Sequence, residues 1–197
     1  MADLITVQEY KDAEGIRGDN NDDRLAILVP QVSDLAKKYC GTSFIDFYSS
    51  AKTETFNIID NYTSVVVMSE TPVNSVTSVK ERDNPTTAYI TLTNNTDYYI
   101  DTNSDSIFRL DSDGNRKAYK KGFGAIEVVY TAGYSATPSD LKLALFDLVT
   151  YYLKDEHKQR LTLGGATIQN QGSASLRTST DFPDHIKRVL DLYRVVI

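Results

Sequence analysis

The sequence predicts an α+β protein: a small helical bundle with an antiparallel β-sheet domain inserted between the second and third helices. Apolar residues recur at helical spacing towards both ends of the chain, whereas between Thr53 and Tyr130 they alternate with polar residues. Clusters of Asp, Asn, Gly and Pro separate the alternating segments at intervals of about 8–12 residues, which is typical of antiparallel sheets. The order helices, strands, helices argues against an alternating βαβ fold.

On this pattern the 197 residues divide into four segments. Residues 1–52 hold the N-terminal helices of the bundle, and residues 53–130 form the inserted β domain. Residues 131–160 carry the central bundle helix. Residues 161–197 hold a mobile loop and a C-terminal docking helix.

Two helices are predicted in the first segment. Thr6 and Glu9 have the spacing of a capping box, which starts a helix over Thr6–Ala13. A longer apolar stripe predicts a helix over Arg24–Tyr39 that Pro30 kinks or divides and that stops at Gly41. That stripe consists of Leu25, Leu28, Val29, Val32, Leu35, Ala36 and Tyr39.

Seven strands are predicted in the inserted domain because β-favouring residues alternate there with polar ones. They are Thr55–Ile59, Ser64–Met68, Ser75–Glu81, Ala88–Thr93, Tyr98–Asp101, Ser106–Leu110 and Gly124–Tyr130.

The central stretch from Ala125 to Lys154 predicts a strand, a tight turn and a long helix. Gly133 is the residue in the turn that best tolerates a positive φ. Thr137 is the predicted cap of a helix over Pro138–Lys154, with Asp140 reaching back as in a capping box. Its apolar stripe consists of Leu141, Ala144, Leu145, Leu148, Val149 and Tyr152.

Residues 161–180 are rich in Gly, Ser, Thr, Asn and Gln, too poor in apolar groups to offset the entropy of ordering. We therefore expect this loop to be mobile in the free subunit and to become ordered on assembly. A last helix over Pro183–Arg194 presents one apolar face that continues to Val196 and Ile197. Either the subunit's own Leu141–Tyr152 helix or a partner could cover that face.

The net charge of −6 is concentrated in residues 1–60, which carry 11 acidic and 6 basic residues. No segment is basic enough to predict tight nucleic-acid binding through phosphates. No apolar run approaches the length of a membrane span, and the N-terminus lacks the features of a signal peptide, so synthesis in the cytoplasm is expected. The single cysteine, Cys40, excludes a disulfide framework and is expected to be buried.

No constellation of catalytic residues emerges from the motifs. Gly133-Tyr134-Ser135 resembles a hydrolase nucleophile elbow, but Thr137 stands where the second Gly is required. The Asp/Asn runs lack the Gly and the bidentate Glu of a calcium loop, and His157 and His185 have no second ligand at metal spacing. The sequence therefore predicts a protein that is not an enzyme and has no cofactor and no metal.

The order of these segments resembles a known family. The helices LITVQEYKDA and DDRLAILVPQVSDLAKKYCGTSF precede a β segment with TPVNSVTSVKE, DYYIDTNSDSIFRL and IEVVYTAGY, and TPSDLKLALFDLVTYYLKDE follows. This arrangement is similar to the head-to-tail connector (neck adaptor) proteins of tailed double-stranded DNA phages, in the longer form with a β insertion. The resemblance covers about residues 3–155.

The resemblance implies a virion structural protein made in the host bacterial cytoplasm. Such a protein forms an adaptor ring, typically dodecameric, between portal and tail, and DNA passes through the lumen without specific binding. Its implied partners are the portal protein, a downstream neck or tail protein and its own copies, with no membrane. Alternatives are a small-ligand or carbohydrate-binding β module, or a serine hydrolase that uses Ser135.

Members of the family commonly dock on the portal through C-terminal segments. The residues that this implies for portal or ring contacts are Leu161, Leu163, Ile168, Leu176, Phe182, Ile186, Val189, Leu190, Tyr193, Arg194, Val195, Val196 and Ile197.

Overall fold

The computed structural model describes residues 2–155, 160–161, 167–168 and 182–195. The chain forms two compact units, a helical unit of residues 1–41 and 136–194 and a β unit that contains residues 42–135. The predicted α+β class, with the antiparallel strands between the second and third helices, is confirmed. Among the described residues, no helix has both the length and the apolar character needed to cross a membrane.

In the residues that the structure describes, the helical unit contains four α-helices. They are α1 (Val7–Glu14), α2 (Asp22–Cys40), α3 (Ser139–Leu153) and α4 (Asp184–Leu192). The capping box of α1 is formed, because the Thr6 hydroxyl accepts from the Glu9 N–H and the Glu9 carboxylate accepts from the Thr6 N–H. Gly15 and Gly41 end α1 and α2 in the left-handed conformation, and α2 continues through Pro30 without being divided.

The predicted cap of α3 is wrong. The N-cap position belongs to Pro138 and receives no side-chain hydrogen bond. The Thr137 hydroxyl instead donates to the carbonyl of Leu4 at 2.6 Å and ties the N-terminal segment to the start of α3. A buried hydroxyl that has reached a carbonyl of a distant segment is not available to the first turn of its own helix.

The core of the helical unit follows the predicted apolar stripes. The buried apolar residues of α2 and α3 include Leu25, Val29, Val32, Ala36, Leu141, Ala144, Leu145, Leu148 and Val149. Tyr10 of α1 is also buried, and its hydroxyl lies 2.9 Å from that of Thr150. Burial of large apolar side chains is the main favourable contribution to folding of this unit.

The β unit contains two antiparallel sheets rather than one. The first has the order β1-β7-β3-β4 and the second β2-β6-β5. The strands are β1 (Lys52–Ile58), β2 (Val65–Val67), β3 (Val73–Glu81), β4 (Ile90–Thr91), β5 (Tyr98–Asp101), β6 (Ser106–Arg109) and β7 (Gly122–Ala132). Outside the β unit, within the sequence range of the helical unit, β8 (Arg160–Leu161) and β9 (Thr167–Ile168) form a short antiparallel ladder.

Strand β7 is the central element of the first sheet. Ile126, Val128 and Tyr130 are fully buried, whereas Glu127 and Val129 are only partly buried, as the period-2 pattern predicts. At the end of β7, Gly133 has a φ of 93°, and a Cβ there would overlap the carbonyl of Phe44. Glycine is therefore required both for the backbone conformation and for the close approach.

Candidate assembly surfaces

Helix α4 packs against the subunit's own bundle. Ile186 and Leu190 are 1% and 0% exposed, and the ring of Phe182 meets that of Tyr39 edge to face at a centroid distance of 5.2 Å. The thiol of Cys40 donates to the carbonyl of Leu190 at 3.5 Å. The sequence leaves open whether the subunit's own helices or a partner covers this apolar face. In the structure, the subunit's own helices cover the inner face of α4.

Polar contacts flank this apolar contact. The Tyr193 hydroxyl donates to Oδ1 of Asp140 at 2.6 Å and holds the pKa of that carboxyl below its usual value. The Tyr39 hydroxyl donates to Oδ1 of Asp191 at 2.6 Å. Burial, and then this carboxylate, raise the pKa of Tyr39 to about 12. The guanidinium of Arg194 lies over the Tyr39 ring, 5.7 Å from its centroid.

The outer side of α4 and the described residues after it, 193–195, remain accessible in the isolated chain. Val189, Tyr193 and Val195 are half-buried, Arg194 is exposed, and Leu192 is 77% exposed. Leu192 was not among the residues predicted from the sequence. Of the predicted loop contacts, Leu161 lies in β8 and Ile168 in β9. The other predicted contacts, Leu163, Leu176, Val196 and Ile197, fall outside the described residues.

A second accessible surface lies at one end of the β unit. We call the cluster of Ile59, Tyr62, Lys121 and Phe123 the distal tip. The three apolar side chains are 77%, 89% and 72% exposed, respectively, and Lys121 is exposed beside them. The tip lies at the end of the first sheet where Ile58 pairs with Gly122. An exposed cluster of large apolar residues is a common mark of a protein-binding surface.

The backbone of the distal tip is held in place by its own polar contacts. Oδ1 of Asp60 accepts from the N–H groups of Tyr62 and Thr63 and from the Thr63 hydroxyl at 2.7–2.9 Å. The N–H of Tyr62, followed by the two donors of Thr63, holds the pKa of Asp60 below its usual value. Tyr62 is therefore presented by a hydrogen-bonded turn, although its side chain is almost wholly exposed.

An irregularity in β7 turns Phe123 outward. The pairing of β1 with β7 shifts between Phe56 and Ile58, which leaves residues 123–125 of β7 without regular partners. Gly124 has a φ of 56°, and its carbonyl accepts from Nε of Arg82 and from the Tyr89 hydroxyl, both at 2.8 Å. The stacked Arg82 and Tyr89 side chains thus fix the segment that carries Phe123.

The distal tip is adjacent to the most basic stretch of the sequence. Residues 116–121, RKAYKK, contain four basic residues and no acidic residue. Lys120 pairs with Asp83 at 2.9 Å, whereas Arg116, Lys117 and Lys121 are exposed. This stretch is readable in the sequence, but only the structure shows that it borders exposed aromatic residues.

A third surface is concave and lies on the helical unit. We call it the α2 groove. Its volume is about 320 Å³, and it is lined by Leu28, Gln31, Val32, Asp34, Leu35, Lys38 and Tyr152. Ile27, which is 61% exposed, lies beside Leu28 on α2. The volume is at the lower end of the range for ligand pockets.

The structure gives no support to the motifs considered for chemistry. Ser135 is exposed. Thr137 occupies the position where the elbow motif requires Gly, and its hydroxyl donates a hydrogen bond to the carbonyl of Leu4. His185 is exposed and lies 3.7 Å from Asp147, and His157 is outside the described residues. In the part of the chain that the structure describes, no group of three or more His, Cys, Asp or Glu side chains could hold a metal ion.

Comparison with known proteins identifies the family. The sequence model of the family described as "Head completion protein" matches residues 3–196. The chain belongs to the head completion protein family. The comparisons thus confirm the resemblance to head-to-tail connector proteins that the sequence predicts.

A relative with the same description matches part of the chain. The head completion protein of Escherichia phage T5 is 35% identical over 74 residues, which is 37% of this chain. The alignment spans 41% of the length of the T5 protein.

Solved structures share the fold over the whole chain. A chain in the neck of an empty gene transfer agent (GTA) particle, computed with C6 symmetry, matches with a TM-score of 0.59 and 15% identity, over 98% of this chain and 91% of that one. A chain in the neck of a native GTA particle, computed with C12 symmetry, matches with a TM-score of 0.55 and 15% identity, over 100% and 95%. At this level of identity the two matches show a shared fold.

Proposed function

We propose that this protein is a structural subunit of the virion neck that forms a closed ring between portal and tail and extends the DNA channel. The match of the head completion family over residues 3–196 carries this proposal. The neck particles that share the fold were computed with C6 and C12 symmetry, which supports a ring of copies. A ring requires a heterologous contact that closes, and it needs no catalytic site.

The same proposal makes the protein a non-enzyme, with DNA passing the subunits without specific binding. The net charge of −6 supports a channel wall that repels the phosphate backbone. The exposed Ser135 and the hydroxyl contact of Thr137 give no support to a hydrolase. A purified sample that hydrolyses esters and loses this activity in Ser135→Ala would contradict the proposal.

Portal docking is assigned to the accessible side of the C-terminal region. Ile186 and Leu190 already fill the subunit's own core, so a portal contact that keeps α4 in place must use other residues. Val189, Leu192 and Val195, with the predicted Val196 and Ile197, supply the apolar contact. Arg194 fixes orientation at the rim more than affinity. The loop contacts at Leu161, Leu163, Ile168 and Leu176 are made with neighbouring copies or the portal on assembly.

The ring is tested by imaging and native mass measurement of the purified protein, alone and bound to portal. Closed rings of six or twelve copies are expected.

Portal docking is tested with a chain that ends at Arg194. It should keep the melting temperature of the full-length protein but bind portal more weakly in a pull-down. The variant Ile90→Ser, which changes an exposed apolar residue of β4, is the matched control. Unchanged portal binding by the shortened chain would remove the C-terminal residues from the contact.

A further inference from the structure

The distal tip exposes apolar side chains and a lysine, whereas the α2 groove is a surface depression. The tip carries three exposed apolar side chains beside Lys121, and the groove is lined by Leu28, Val32, Leu35 and Tyr152 together with Gln31, Asp34 and Lys38. We propose that the distal tip of one copy docks into the α2 groove of the next copy around the ring. This inference rests on the proposed function, because it names the contact through which the neck ring closes.

The construction of the tip favours a protein-binding role. The backbone that carries Tyr62 and Phe123 is held by the Asp60 turn and by the Gly124 carbonyl contacts, so little backbone ordering remains to be done on binding. Aromatic side chains are frequent among the residues that dominate binding energy at interfaces.

The partner that covers the distal tip is a protein surface rather than DNA. Duplex DNA keeps its bases stacked, so exposed aromatic residues gain no stacking partner from a duplex that passes through a channel. The basic stretch alone could contact phosphates, but such contacts would leave Ile59 and Phe123 facing water. A concave surface with apolar lining residues would shield these side chains from water, and the α2 groove is such a surface.

A second copy of this chain fits the tip because both halves of the contact are present on one subunit. A heterologous interface joins two different patches of the same protein and closes into a ring. Lys121 of the tip would then meet the exposed face of α2, where Asp23 and Asp34 flank Ile27. Lys38 lies one turn beyond Asp34 and would repel a tip that docked one turn too far.

Cross-linking between introduced cysteines tests the contact in rings first verified by imaging. Cys40 gives a low background because it is buried and its thiol pKa is raised to about 12. Subunits with Phe123→Cys are mixed with subunits with Leu35→Cys and treated with a short bismaleimide. Covalent dimers are expected from the mixture, and a ladder of higher multimers from a chain that carries both changes.

The control replaces Leu35→Cys by Leu143→Cys, which lies on α3 and outside the groove lining. This pair should give at least about tenfold less cross-linked product, because a short linker requires adjacent thiols. Rings that form normally but give no product with Phe123→Cys and Leu35→Cys overturn the inference and leave the proposed ring function standing. A wild-type protein that forms no ring, alone or on portal, contradicts both.

Charge reversal supplies an independent measurement. Lys121→Glu and Asp34→Lys should each weaken self-association by about tenfold in sedimentation experiments, because each places like charges across the contact. The double variant should recover most of the loss, since the pair is restored with opposite signs. Additive losses in the double variant would show that the two residues do not meet.

If the tip instead binds a downstream neck protein, the reversals will leave self-association unchanged and reduce tail joining. If it binds DNA, Lys121→Glu will lower retention on a DNA column while rings remain intact. Either outcome overturns the assignment to a second copy.

Discussion

Helix α4 and the distal tip are both apolar surfaces, but the chain covers one and leaves the other open. The inner face of α4 is buried by α2 and α3, with Leu190 at 0% exposure, whereas Tyr62 at the tip is 89% exposed. The difference teaches that an apolar stripe at helical spacing is a good guide to a subunit's own core. Isolated apolar residues in turns and bulges carry no such pattern and are better candidates for contacts between molecules.

Thiol reactivity should separate the two regions most strongly. At pH 8, Cys40 should react with a thiol reagent slower than Phe123→Cys by about three orders of magnitude from the thiolate fraction alone, because its pKa is raised to about 12. Burial under α4 should slow it further. The measurement is the labelling rate in the native protein and in urea. Comparable native rates would show that α4 leaves the bundle readily.

Truncation of a side chain should have a large effect on stability in one region and little in the other. Leu190→Ala should lower the free energy of unfolding by about 2–5 kcal/mol, because it leaves a cavity among α2, α3 and α4. Tyr62→Ala should change it by no more than about 0.5 kcal/mol, as is usual for an exposed side chain. Urea unfolding of both variants provides the comparison. A large loss in Tyr62→Ala would show that the tip belongs to the subunit's own core.

The backbone of the tip should be more sensitive than its side chains. Gly124→Ala should lower the free energy of unfolding by about 1–2 kcal/mol, because φ of 56° is costly for a residue with a Cβ. Gly18→Ala is the control, since Gly18 has no positive φ and no atom within 4 Å of an added Cβ. Equal stability of the two variants would mean that the outward turn of Phe123 is not fixed by Gly124.

The smallest effect is expected at the polar margin of α4. Tyr193→Phe removes the donor to Asp140, so the pKa of Asp140 should rise towards its usual value. A carboxyl whose folded pKa is lowered stabilises the fold above its unfolded pKa, and this contribution is lost as the pH falls through the folded pKa. The variant should therefore be slightly less stable than the wild type at pH 7 and equally stable in strong acid.

Two measurements check this prediction. An NMR titration follows the pKa of Asp140, and Tyr39→Phe serves as the control because it removes a contact to Asp191 instead. A pKa of Asp140 that moves equally in both variants would assign the shift to a cause other than the Tyr193 hydroxyl.

The sequence by itself determined the α+β class, the four helices to within two residues at each end, and the period-2 burial of β7. These features depend on local propensity and on the spacing of apolar residues, which are properties of short segments. Caps such as Thr6 with Glu9 are likewise local, because both partners lie within one turn.

The tertiary structure decided those features that depend on contacts between residues far apart in the sequence. It joined the Thr137 hydroxyl to the Leu4 carbonyl, divided the strands of the β unit into two sheets and covered the inner face of α4 with the subunit's own helices. It also placed the turn that carries Ile59 and Tyr62 at the same end of the first sheet as Phe123, although some sixty residues of chain separate Tyr62 from Phe123. A surface formed by segments far apart in sequence has no periodicity to read, because its members become neighbours only when the strands that carry them pair.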